Sequence, residues 1–316
     1  MTTVAVAGGT GGVGKTLVET LEQQSKFRVV VLSRNKQTKE KPATDTSYVQ
    51  IDYNDIPALT RQLELYKIHT IISAIGLISE ETSNSQMNLI EAAENSKVTE
   101  RFIPSEYSFI QTADLLPIDP SIQFWLDAAN RLKGSSLKYT RVIPGFFMDY
   151  WGMPHVKTNL QPYRFGIDIS SRIAAIPGDG NDVICMTYTY DMAQYMIKAL
   201  DLDEWPEFSV VVGDQITYNQ ILAIVENILG GKFQVTYDSV DQIAVGNVTN
   251  PPMPSDVDYS QEEITEVTAL VSRLTVNGVF ELPKENRLND KFPDIQPITM
   301  KKLLEDSWGG ANIHLK

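Results

Sequence analysis

Residues Val4–Thr16 read VAVAGGTGGVGKT, and this stretch satisfies two phosphate-binding patterns at once. Gly9, Gly14, Lys15 and Thr16 match the G-x-x-x-x-G-K-[ST] of a P-loop, while Gly8, Gly11 and Gly14 match the G-x-x-G-x-x-G of a dinucleotide-binding loop. A P-loop also needs a later strand ending in an acid that helps hold Mg²⁺. The strands that could supply it end VVVLSRN and IISAIG, and the remaining candidate, Asp52, lies in a polar turn. A dinucleotide loop needs its glycines after a strand and before a helix, inside a βαβ unit of about 30 residues. Thr3 to Leu32 is such a unit. The residue closing its second strand meets the adenosine ribose, where an acid would favour NAD. Here that position carries Arg34, flanked by Ser33 and Lys36. Two cations and a hydroxyl favour a 2′-phosphate, so the expected cofactor is NADP(H). Lys15 then becomes a helix-start residue with no catalytic part.

Outward from this unit the strand and helix patterns alternate. FRVVVLS, SYVQIDY, IHTIISAIG, RFIPS and LKYTRVIPG read as further strands. Helices are expected around 13–21, 56–66, through 87–96 and around 122–134, the last closed by Gly134. Parallel strands need crossovers, and helices supply them, so the fold class is α/β with a doubly wound parallel sheet. After about Tyr150 the pattern loosens into loops, short strands and a Gly-Asp-Gly turn. Residues 190–201 and 217–231 read as helices, and 247–260 as a loop. The expected division is an NADP-binding domain over 1–150 and a smaller mixed α/β substrate domain over 151–316, with some strands and helices crossing back.

The 316 residues are 42% apolar and carry a formal net charge of −13. With no extended basic run, a nucleic-acid partner is not expected. The single cysteine, Cys185, cannot form an internal disulfide, and no basic-then-apolar leader opens the chain. These features predict a cytoplasmic protein with no membrane association, a monomer or homodimer acting on a small molecule. No His, Cys, Asp or Glu cluster has metal-ligand spacing, and GDGND at 178–182 reads as a turn.

Taken together, VAVAGGTGGVG, VVVLSRN, RFIPSEYS, KYTRVIPGFFMDYW, IPGDGNDVICMTYTYDMAQYM and the late FPDIQPITMKKLL resemble the NmrA-like proteins. These are atypical short-chain dehydrogenases related to isoflavone-reductase-like enzymes. The resemblance implies a Rossmann domain with NADP(H), a smaller substrate domain and a cleft between them. The Tyr-x-x-x-Lys pair of ordinary short-chain dehydrogenases is absent here. The related reductases carry a lysine on the helix after the fifth strand, and Trp125 occupies the matching position. Arg131 lies about 240° around that helix from Trp125, and Lys133 about 12 Å along it, so neither replaces the lysine.

The expected cofactor contacts are Gly8, Thr10, Gly11, Gly12, Val13, Gly14, Ser33, Arg34 and Lys36. Ala74, Ile75 and Gly76 join them after the fourth strand and Pro104 and Ser105 after the fifth, where ligands of open sheets gather. By resemblance, Pro144, Gly145 and Phe146 approach the nicotinamide. Glu106, Phe147, Tyr150, Trp151 and Met153 are expected to line a cleft for a flat, largely apolar substrate, though so dense an aromatic run also suits an interdomain core. Glu106 equally suits a structural acceptor for backbone amides. For catalysis, Tyr107 is a candidate proton donor or a loop cap. Trp125 would line the cleft or join a core stripe with Ile122, Leu126 and Ala129. His155 would act as acid or base or sit in a solvated loop; His69 and His314 read as peripheral. Three functions follow. One is an NADP(H) oxidoreductase on a small aromatic or alkaloid-like molecule. Another is a redox-neutral isomerase or cyclase using the cofactor as a pocket wall or transient hydride carrier. The last is a non-catalytic NADP sensor.

Overall fold

The computed structural model describes residues 1–35, 45–254 and 259–310; Lys36 and His314 lie outside them. The opening motif sits at the centre of the fold. Strand β1 (Thr2–Ala7) leads through the glycines into helix α1 (Gly12–Leu21), and β2 (Phe27–Ser33) returns parallel to β1. Next come β3 (Ser47–Gln50), α2 (Ile56–Leu65), β4 (Ile68–Ser73), α3 (Glu80–Asn95), β5 (Arg101–Ile103), α4 (Gln123–Lys133) and β6 (Lys138–Tyr139). The six strands form one parallel sheet in the order β3-β2-β1-β4-β5-β6, a Rossmann arrangement whose order reverses between β1 and β4.

The period of two in the sequence explains why both faces are covered. Val4 and Val6, with Val29 and Val31, bury against Leu17, Val18 and Leu21 of α1. Ala5 and Ala7, with Val30 and Leu32, bury on the opposite face among Leu59, Leu63, Leu89 and Ala93 of α2 and α3. Helix α3 starts seven residues ahead of the Met87 where its apolar pattern begins, because Ser79 and Thr82 close a capping box. Gly134 is the C-cap of α4 but keeps a right-handed φ of −85°.

The expected sixth strand, 137–145, divides at Thr140. Its first half, β6, pairs with β5; its second, β7 (Arg141–Ile143), pairs in parallel with β12 (Phe208–Val210). The Thr140 hydroxyl lies 2.8 Å from that of Ser209, and both residues are fully buried, so the break is held from within. Between β7 and β12 run β8 (Phe146–Phe147), α5 (Asp149–Gly152), β9 (Ile167–Asp168), β10 (Ile173–Pro177), β11 (Ile184–Thr187) and α6 (Thr189–Ala199). Then follow β13 (Asp214–Ile216), α7 (Tyr218–Leu229), β14 (Gln234–Asp238), α8 (Val240–Ala244), α9 (Gln261–Val276), α10 (Leu288–Lys291) and α11 (Met300–Trp308). Two three-stranded sheets, β14-β10-β9 and β13-β11-β8, enclose a second core with α7, α9 and α11. The chain also returns to the first layer, where Met192, Tyr195, Met196 and Ala199 of α6 join the α1 core. Among the described residues no helix is long and apolar enough to cross a membrane.

Candidate functional site

The turn after β1 is built from close backbone approaches. Gly8 has φ +75°, and a Cβ there would stand 2.5 Å from the Ala74 carbonyl oxygen. A Cβ on Gly14 would stand 2.2 Å from the Gly8 oxygen, so both positions demand glycine. The Gly11 amide donates to the Gly8 oxygen at 3.0 Å, and among the described residues no side chain caps the start of α1. The first amides of the helix are therefore open for an anion. Gly12 is crowded by other means: its Cβ would lie 3.1 Å from the Asn159 oxygen. Asn159 belongs to a strap clamped by Asn159 Nδ2 to Thr16 (3.2 Å) and to the Tyr190 hydroxyl (3.1 Å).

From this turn a depression of about 310 Å³ runs across the carboxyl ends of β1, β2 and β4. Of the expected cofactor residues, Gly8, Thr10, Gly11, Ser33, Arg34, Ala74, Ile75 and Gly76 line it. Arg34 is 65% exposed and meets Glu81 Oε1 at 3.5 Å. The lining also includes Leu32, Asn35, Tyr53, Ile78, Thr82 and Ser85, which the motif reading missed. Thr82 and Ser85 belong to the early turns of α3, ahead of its apolar pattern, so no periodic signal marks them. Val13 packs against the α1 core, and Gly12, Gly14, Pro104, Ser105 and Pro144 do not line the depression. Ser105 donates its amide to Gln86 Oε1 at 2.9 Å, and the Pro144 carbonyl accepts from Thr187 Oγ1 at 2.6 Å. Lys15 points elsewhere: it is 56% exposed and 4.0 Å from Glu19. Open amides at one end and a guanidinium at the other suit a ligand carrying phosphate at both places. Among the described residues, two buried hydroxyls near the ends of β3 and β4, Tyr53 Oη and Ser73 Oγ, have no partner.

Beside it lies an aromatic cleft of about 260 Å³. Tyr107, Ser108, Phe109, Gly145, Phe146, Phe147 and Tyr150 line it as chain neighbours of β5 and β7, and Phe165, Val271, Leu274 and Phe280 close it from afar. Phe146 is the hub, with ring centroids 4.9 Å from Phe165, 5.1 Å from Phe280 and 6.2 Å from Tyr150. Gly145 has φ +72°, and its Cβ would fall 2.1 Å from the Cys185 oxygen on β11. The Tyr107 hydroxyl donates to the Ser73 carbonyl at 2.7 Å and so joins this cleft to the end of β4. Burial holds the Tyr107 and Tyr150 phenols far above the usual tyrosine range. Tyr107 is therefore placed at the cleft as expected, but its proton is committed to a backbone oxygen.

Several expected site residues are elsewhere. Trp125 packs half-buried with Phe124 on the core between sheet and helices that Ala128 and Leu132 of α4 join, while Ile122 and Leu126 face the second core. His155 is exposed and rests edge-on against Trp308, 4.7 Å between centroids. Trp151 is 2% exposed in the second core, and its carbonyl accepts from Trp308 Nε1 at 2.8 Å. Met153 lines a separate groove with Pro154, Val156 and Leu160. Glu106 is 2% exposed and does not face the cleft, since Arg141 grips it with Nε and Nη2, each at 2.5 Å. Burial pushes its carboxyl upward while Arg141 and the Gln111 amide pull it down. Bidentate pairing is what makes such a desolvated charge tolerable.

Residues 1–284 match the NmrA-like family. The oxidoreductase swnN of Metarhizium robertsii is 30% identical, with 98% of each chain covered. The oxidoreductase BOA1 of Botryotinia fuckeliana is 35% identical over 233 residues, 74% of this chain and 78% of that one. Among solved structures, the leucoanthocyanidin reductase–NADPH complex of Vitis vinifera superposes with a TM-score of 0.71 at 16% identity, covering 95% of this chain and 97% of the other.

Proposed function

The chain belongs to the NmrA-like family, and from that premise we propose that it is an NADP(H)-dependent oxidoreductase acting on a small, largely apolar aromatic or alkaloid-like molecule. The observation that carries this reading is the junction of two depressions, one lined by the Gly8–Gly11 turn and Arg34, the other by aromatic rings, joined where Tyr107 bonds Ser73. Two similar proteins carry the name oxidoreductase, and a structural neighbour was solved with NADPH.

The residues present fit the dinucleotide. The open amides of α1 would take its pyrophosphate and Arg34 its 2′-phosphate. When bound, the nicotinamide supplies or accepts the hydride. The glycine at 145 lets the backbone lie close to β11 and leaves the Phe146 ring projecting into the cleft. The surrounding rings exclude water and orient a flat substrate by edge and face contacts. Tyr107 fixes the junction through the Ser73 carbonyl and would have to release that oxygen before giving a proton to substrate.

That commitment of Tyr107 favours a second reading, a redox-neutral isomerisation or ring closure in which shape and proximity replace proton donation. The test is turnover of aromatic and alkaloid-like substrates with NADPH, followed by absorbance and mass balance together. Reduced product in step with NADPH oxidation supports the oxidoreductase. A product isomeric with substrate, with NADPH unchanged, supports the second reading, and tight NADPH binding without turnover of any substrate overturns both.

A further inference from the structure

We propose that a groove along α9, apart from both depressions, is a second small-molecule site that takes a monocarboxylate with an apolar body, anchored by Arg273. The groove measures about 420 Å³ and runs between α9 and the segment before α4. Ile118 and Pro120 line it from that segment, and Ala269, Leu270 and Arg273 from α9. At 100° per residue, Glu266, Ala269 and Leu270 lie within about 60° of Arg273 around the helix, so Arg273 stands on the face that borders the groove. Val271 and Leu274, which close the aromatic cleft, lie about 160° and 100° away, and the groove and the cleft share no lining residue.

Arg273 is half-buried, yet it has no ion pair and no side-chain hydrogen bond among the described residues. In this it stands alone among the described arginines that are not exposed. Arg101, Arg172 and Arg287 donate to backbone carbonyls, Arg141 grips Glu106, and Arg164 meets Asp168 at 3.3 Å. The last turn of α9 offers Arg273 the negative end of the helix dipole, but that attraction acts on any cation and fills none of its five N–H donors. Half-burial strips part of the water from the guanidinium, and no described residue replaces it. Its planar fork fits a carboxylate through two parallel bonds. The acids in the lining limit the charge of the guest. Asp119 turns its Oδ1 to the Ser121 amide and hydroxyl, at 2.9 and 2.6 Å. Glu266 is exposed and stands about 10 Å along α9 from Arg273. One guanidinium in the company of two carboxylates favours a single negative charge over a phosphate dianion. Ile118, Pro120, Ala269 and Leu270 favour an apolar body behind that charge.

Cyclohexanecarboxylate is the probe, since its saturated, puckered ring is a poor guest for a cleft shaped to flat molecules. Cyclohexanecarboxamide and cyclohexylmethylammonium keep nearly the same shape with no charge and with the opposite charge. Methyl NMR of the full chain reads place and affinity together, through Ile118 and Leu270 at the groove and Val271 and Leu274 at the cleft. The carboxylate should shift the groove methyls saturably and bind about tenfold tighter than the amide, or more. Arg273→Gln should remove that advantage with little change in melting temperature, and Arg273→Lys, which keeps the charge without the fork, should retain only part of it. The acid-to-amide comparison needs no variant and decides the assignment even where Arg273→Gln folds poorly. An amide or ammonium that binds as tightly as the acid, or an acid advantage that survives Arg273→Gln, would overturn the site. So would shifts centred on the cleft methyls, or no saturable binding of the carboxylate at all.

Discussion

At the scale of single residues, position in the motif proved more informative than chemical type. Arg34 lines the depression at the place its motif position predicts, the end of the second strand of a βαβ unit. If it holds the 2′-phosphate through charge-assisted bonds of about 1.5–3 kcal/mol, NADPH binds about tenfold to a hundredfold tighter than NADH. Arg34→Asp should invert that preference, and equal calorimetric affinities in the unmodified protein would contradict it. Lys15 looked like a P-loop lysine by type, but it stands 4.0 Å from Glu19 on the exposed side of α1. Lys15→Ala should leave NADPH affinity within a few-fold, since exposed ion pairs contribute little; Mg²⁺-dependent ATP hydrolysis lost in that variant would revive the P-loop. Tyr53, by contrast, carries no signal in the sequence. A tyrosine after a short strand looks the same whether its hydroxyl is satisfied or orphaned, and only packing decides.

At the scale of elements, the helix periods located surfaces correctly but not their destinations. The α4 stripe was read as Ile122, Trp125, Leu126 and Ala129, and it divides: Ile122 and Leu126 pack on the second core, while Trp125 packs on the cluster that Ala128 and Leu132 join. Trp125→Ala should therefore cost about 2–3 kcal/mol of stability, less than the ~3–5 kcal/mol of a fully buried aromatic because Trp125 is only half-buried. NADPH affinity and turnover per folded molecule should stay unchanged, which thermal melts and titration of the one variant would separate. Helix α6 makes a different prediction. Asp191 in its first turn is 8% exposed and accepts the Ile298 amide at 2.8 Å, tying the segment before α11 to the first layer. Burial pushes its carboxyl up to about 6. The folded state thus holds this proton more tightly than the unfolded chain, whose carboxyl titrates near 4. The contribution of this group to stability is therefore greatest below about pH 4 and is lost as pH rises to about 6, by roughly 3 kcal/mol. Asp191→Asn keeps an acceptor for Ile298 and should raise the melting temperature at pH 8 while leaving it nearly unchanged at pH 4. Equal shifts at both pH values would show that burial of charge is not the cause.

At the scale of the whole molecule, the doubly wound sheet was legible because each βα unit announces itself within about 30 residues. The closure of the aromatic cleft was not, because Phe165, Leu274 and Phe280 reach Phe146 from distant parts of the chain, and no local period records which distant rings converge. Net charge, however, is a whole-molecule property that the sequence gives outright, and it bears on how a polyanionic nucleotide arrives. The formal charge is −13, and among the described residues the one cation lining the depression, Arg34, is already partnered by Glu81. The open amides of α1 act over short range, so the far field that an incoming nucleotide meets is repulsive. Raising ionic strength from about 0.01 M to 0.15 M shortens the screening length from about 30 Å to about 8 Å and removes most of that field. The association rate for NADPH should then increase with salt, the reverse of electrostatic attraction. Dissociation should also quicken, because the exposed Arg34–phosphate contact is screened as well, so the equilibrium affinity should move less than either rate. Stopped-flow quenching of intrinsic fluorescence resolves the two rates. An association rate that falls with salt would mean that Arg34 and the helix start outweigh the rest of the surface, and that the acidic balance of the chain plays no part in cofactor capture.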